Sequence, residues 1–152
     1  ISDHAVNILE SAEELRDKKL SLTEDALKEY EVMANAVKEV LDLSQDAFED
    51  SDIQKATEVE PLEQVIDVLK DRLRTDHILR MQDGKCSVEV GFVWSDLVTN
   101  MERVSDHCSN IAGCVIDHAE HNLNLHETLK RARTESRQFG EEYKRYLEKY
   151  SV

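Results

Sequence analysis

From Ser87 to about Glu120 the apolar residues Val90, Val93, Leu97, Val104, Cys108, Ile111 and Val115 keep returning to one side of a helix that turns about 100° per residue. A strand cannot gather them on one face, because its side chains alternate at every second position. The same period fills almost the whole chain, which has only four Gly and one Pro to interrupt it. It predicts an all-α fold of about five helices without a strand. Ile1, Ala5, Ile8, Ala12 and Leu15 form the stripe of a first helix ending near Lys18. Ser21 followed by Glu24 has the form of a capping box and opens a second, to about Phe48. Ser51 followed by Gln54 repeats that signal and opens a third, to about Met81. Pro61 deletes one backbone donor inside it and is expected to kink or interrupt it. Asp83-Gly84 is the clearest turn. Asn124 with Glu127 caps a last helix to about Tyr150, with Leu125, Leu129, Ala132, Phe139, Tyr143, Leu147 and Tyr150 on its inner side. Short connections between long amphipathic helices predict an antiparallel bundle.

Charge narrows the function classes. The formal net charge of −14 disfavours nucleic acid, whose phosphates need a basic surface, and favours cations. The charge is uneven. Residues 123–152 hold seven Lys/Arg against five Asp/Glu, which leaves 12 against 28 in residues 1–122. The expected organisation is therefore an acidic bundle over 1–122 and an amphipathic helix over 123–152 that packs on the bundle or on a partner. Three cysteines, with Cys108 on an apolar face, fit a reduced, cytoplasmic setting. No apolar run approaches a membrane span and no signal peptide is visible.

A short phrase occurs twice. Ser2-Asp3-His4-Ala5-Val6-Asn7-Ile8 opens the chain and Ser105-Asp106-His107-Cys108-Ser109-Asn110-Ile111 returns, with five of seven residues identical. The repeated residues are polar, so the duplication points to binding rather than to core packing. Because the chain begins at Ile1 inside the first copy, it is read as part of a longer protein.

Glu102, Asp106 and Asn110 stack at spacings of four on the side of their helix opposite the apolar stripe, near Asp96, Arg103 and His107. The third helix carries Glu60, Glu63, Asp67, Asp71 and Arg74 opposite Leu62, Val65, Leu69 and Leu73. Carboxylates one turn apart repel unless a cation lies between them. Glu63/Asp67 and Glu102/Asp106 share one spacing, and on neighbouring helices they bring four carboxylates to one place. The competing reading is a solvated surface, which is what most charged helix faces are. His118, His121 and His126 have spacing suited to zinc, but at a helix end they serve equally to complement the dipole. Cys86 lies in a turn with no activating base visible nearby in sequence, and His77 reads as structural.

Met101-Glu102-Arg103-Val104-Ser105-Asp106-His107 resembles the E-R-x-x-D-H helix of PhoU-type domains. Arg74, His77, Arg80, Gly84, Lys85 and Cys86, leading into Asp96-Leu97-Val98-Thr99-Asn100-Met101, look like the version fused behind bacterial sodium/phosphate cotransporter-like membrane domains. The resemblance covers residues 1–120. It implies a helical fold of two three-helix repeats, the first incomplete here, and regulation of phosphate transport without catalysis. It also implies metal sites at Glu63, Asp67, Glu102 and Asp106, with Asp3 as the counterpart of Asp106 whose Glu and Arg partners would precede Ile1. Ser105 stands where the family often has Gly. The implied metal is iron, zinc, manganese or magnesium. The implied partner is a membrane phosphate transporter domain, on its cytosolic side and in the same polypeptide, with a homo-oligomer as a further possibility. Two other classes compete: a di-iron carboxylate enzyme, and a purely structural interaction module. The enzyme class needs Glu-x-x-His ligands on facing helices, and no His here has a Glu three residues before it.

Overall fold

The computed structural model describes residues 1–119 and 137–152. Among them lie five helices: α1 (Ser2–Asp17), α2 (Glu24–Asp50), α3 (Ile53–Gln82), α4 (Val88–Ala119) and α5 (Arg137–Lys149). No described residue is in a strand, so the fold is all-α, as the apolar period requires. The expected cap at Asn124 and the histidines 121 and 126 lie outside the described residues.

Two helix starts differ from expectation. Thr23, not Ser21, caps α2, its side chain accepting the Ala26 N–H at 3.2 Å. Ser51 does not open α3. It closes α2 with a left-handed backbone, φ 52°, and hands the start of α3 to Asp52. The Asp52 carboxylate accepts the N–H groups of Gln54 and Lys55 at 2.8 and 3.1 Å. A carboxylate satisfies free amides and also complements the positive helix end, which a hydroxyl does not. The Ser87 hydroxyl does cap α4, accepting the Val90 N–H at 3.2 Å.

Pro61 interrupts nothing. The helix α3 runs unbroken through it, with the ring buried. One missing hydrogen bond, at the carbonyl four residues back, is a small loss in a helix of 30 residues packed on several sides.

At the centre, α3 packs against α4 and both pack against α2. Leu62, Val65, Ile66 and Leu73 of α3 meet Trp94, Val98 and Cys108 of α4 and Met33 and Val40 of α2. The Trp94 Nε1–H donates to the Leu73 carbonyl at 3.2 Å, which pins α4 to α3 in an antiparallel register. The inward face of α1 is rotated from the expected stripe. His4, Ile8, Ser11 and Leu15 turn towards the protein, while Ile1, Ala5 and Ala12 are exposed. Polar contacts set that face: Asn100 Oδ1 receives the Asn7 amide at 2.9 Å and lies 2.9 Å from His4 Nδ1. On α5, Tyr146 is buried and Leu147 is 41% exposed, so the larger ring holds the inner position assigned to the leucine. Phe139, Tyr143, Tyr146 and Tyr150 form that side; α5 packs on α3, and the Tyr150 hydroxyl reaches Asn35 and Glu39 of α2.

Candidate functional site

The acidic stripes of α3 and α4 meet along the contact between the two helices. Three cross-links fix the register: Ser109 Oγ donates to Glu60 Oε2 at 2.5 Å, Lys70 Nζ to Glu102 Oε1 at 2.9 Å, and Trp94 to the Leu73 carbonyl. In that antiparallel register Glu63 stands level with Asp106, and Asp67 level with Glu102 and Arg103. Of the two carboxylate pairs, Asp67 and Glu102 are joined across the contact through Lys70.

Burial differs from a surface reading of these faces. Glu60, Glu63 and Glu102 are only 3%, 5% and 8% exposed, while Asp67 and Asp106 are half-buried. Asp71 and Arg74, further along the same stripe, are exposed. The three glutamates are thus part of the helix contact and not of a solvated rim. Carboxylates survive such burial when paired and hydrogen-bonded. Glu60 has the Ser109 hydroxyl, Glu63 accepts the Gln64 amide at 2.8 Å, and Glu102 has Lys70.

Lys70 is the residue that sequence reasoning missed. Its ammonium lies 2.9 Å from Asp67 Oδ1 and 2.9 Å from Glu102 Oε1, between two of the expected ligands. Burial pulls its pKa down, but the bonds it donates to Glu102 and Asp67 prevail and hold it above the ordinary lysine value. Position 70 follows Asp67 by three on a helix, which was a legible signal for an ion pair. Arg103 adds a second cation, 3.2 Å from Asp106 and 4.0 Å from Glu102.

Asp3 stands exposed in the first turn of α1 and, among the described residues, shares no hydrogen bond or ion pair with the other four. The repeated phrase is nonetheless brought together: the His4 and His107 rings lie 5.3 Å apart between α1 and α4. His118 is exposed at the end of α4. Among the described residues no three His, Cys, Asp or Glu side chains converge as a ready metal cage.

The PhoU domain matches residues 30–115, which include all of α3 and most of α2 and α4. The chain belongs to the PhoU domain family. It is similar to the phosphate-specific transport system accessory protein PhoU homolog 1 of Thermotoga maritima, with 28% identity over 130 residues, 86% of this chain and 55% of that protein. The chain thus spans about half the length of that relative. No solved structure matches it. Among the described residues no helix is long and apolar enough to cross a membrane.

Proposed function

We propose that this PhoU domain is a non-enzymatic regulator of phosphate transport, acting on the cytosolic side of a membrane transporter domain carried by the same polypeptide and related to sodium/phosphate cotransporters. The family match over residues 30–115 carries the reading, supported by the relative named as a transport accessory protein. Deletion of this segment from the parent gene tests it by phosphate uptake in cells. Uptake should lose its dependence on external phosphate. Uptake that still responds normally to external phosphate would contradict a regulatory role.

The seam between α3 and α4 is proposed as a cation site. Asp67 and Glu102, flanked by Glu63 and Asp106, would hold the ion, and Asp3 on α1 would belong to a separate set. Oxygen donors suit magnesium, manganese or iron better than a metal that prefers thiolate, and zinc is compatible. A bound ion would supply charge neutralisation at the helix contact. The Lys70 ammonium already does this, so entry of a metal requires Lys70 to swing outward. The Lys70 bridge also supports the plainer reading, in which the acidic seam is a self-compensated structural contact. A di-iron oxidation site is the less favoured reading, because it needs Glu-x-x-His ligands on facing helices and no His of this chain has a Glu three residues before it.

A further inference from the structure

Cys86 sits half-buried in the turn between α3 and α4, and its Sγ lies 3.6 Å from Nε2 of His77. His77 is buried on α3 and stacks on the Trp94 indole, with ring centroids 5.5 Å apart. Its other nitrogen, Nδ1, lies 3.4 Å from Arg80 Nη2. A guanidinium can only donate. Nδ1 therefore carries the lone pair, the ring hydrogen sits on Nε2, and Nε2–H points at the Cys86 sulfur. Arg80 is itself fixed by Glu29 of α2 through two buried bonds of 2.6 and 2.7 Å, while its Nε is buried without a hydrogen-bond partner among the described residues. The result is a directed chain: Glu29 accepts from Arg80, Arg80 donates to His77, and His77 donates to Cys86.

The Arg80 contact holds the imidazole so that its Nε2–H faces the sulfur, and the ring thereby orients Cys86 for attack. We propose that Cys86 is a modification site for small electrophiles, hydroperoxides foremost, with His77 and Arg80 as its positioning residues. The thiol releases its proton to water, and the sulfur attacks one oxygen of the peroxide. The S–O bond forms as the O–O bond breaks. Sulfur is oxidised to the sulfenic acid, and the peroxide is reduced to an alcohol, or to water, once the leaving oxygen takes a proton from solvent. The peroxide is the oxidant and comes from outside the protein. This site is independent of the transport reading.

The chain carries its own references, because Cys114 is exposed and Cys108 is buried. The folded chain is treated with hydrogen peroxide at neutral pH in the presence of a sulfenic-acid-trapping dione, and the tag on each cysteine is followed by peptide mass spectrometry. Cys86 should be tagged about tenfold faster than the more exposed Cys114, and Cys108 should stay untagged. His77→Phe keeps a ring against Trp94 but removes the donor, and should bring the Cys86 rate down to that of Cys114 or lower. His77→Gln, whose amide still donates, should restore part of it. Nitrogen NMR of the parent protein should place the His77 hydrogen on Nε2. A parent Cys86 no faster than Cys114 would overturn the proposal without reference to any variant. A His77 hydrogen on Nδ1, or an unchanged Cys86 rate in His77→Phe, would overturn the positioning chain.

Discussion

His77 is a titratable ring held where its charge is unwelcome. Burial, and then the adjacent Arg80 charge, press its pKa below the ordinary 6.5. Above that value the ring is neutral in both folded and unfolded chains, and its stabilising contacts are fully present. As pH falls from 6.5 through the lower folded value, the unfolded chain takes up a proton that the folded chain resists, and stability is lost. His77→Phe should flatten this acid limb. Urea midpoints between about pH 7 and pH 5 provide the check, since the other histidines remain as a common background. Equal acid slopes in parent and variant would show that His77 titrates normally. Little of this was legible in the sequence. His77 and Cys86 are nine residues apart, which is not a helical spacing, and only the turn after α3 folds one back onto the other. Cys86 therefore read as a thiol with no partner.

At the scale of helices, the seam between α3 and α4 contains charge because both helices supply it. The apolar period located each helix, but the faces were read one helix at a time. Glu60 and Glu102 looked like surface residues because their partners, Ser109 and Lys70, lie 49 and 32 residues away. Caps were misplaced by one or two residues for a similar reason. Ser21, Thr23, Ser51 and Asp52 all have capping side chains, and the backbone of each short connection decides which one is used. Lys70→Met removes the shared ammonium and leaves Glu102, whose side chain is 11% exposed, facing Asp67 without it. The expected cost is about 1–3 kcal/mol, below that of a fully buried pair because Asp67 remains partly in water. Chemical denaturation measures it. A loss near zero would mean that water and Arg103 already compensate the seam.

Across the whole molecule, a net charge of −14 makes the folded state self-repelling, and the fold answers with local cations. Lys149 of α5 bonds Glu39 of α2 at 2.7 Å, and Arg145 reaches Glu58 of α3 at 3.5 Å. Lys70 does the same within the seam. If that seam is a cation site, a divalent ion that binds only the folded chain should stabilise it by about 2.7 kcal/mol at a hundredfold excess over its Kd, raising Tm by several degrees. The direct measurement is thermal melting of the parent, Lys70→Met and Lys70→Met with Asp67→Asn and Asp106→Asn, each titrated with manganese against sodium chloride at equal ionic strength. Lys70→Met should melt lower than the parent without metal, and manganese should restore it with a saturating dose response that the carboxylate substitutions abolish. If manganese raises its Tm no more than sodium chloride does, or equally well without Asp67 and Asp106, the seam is a structural salt bridge and holds no metal.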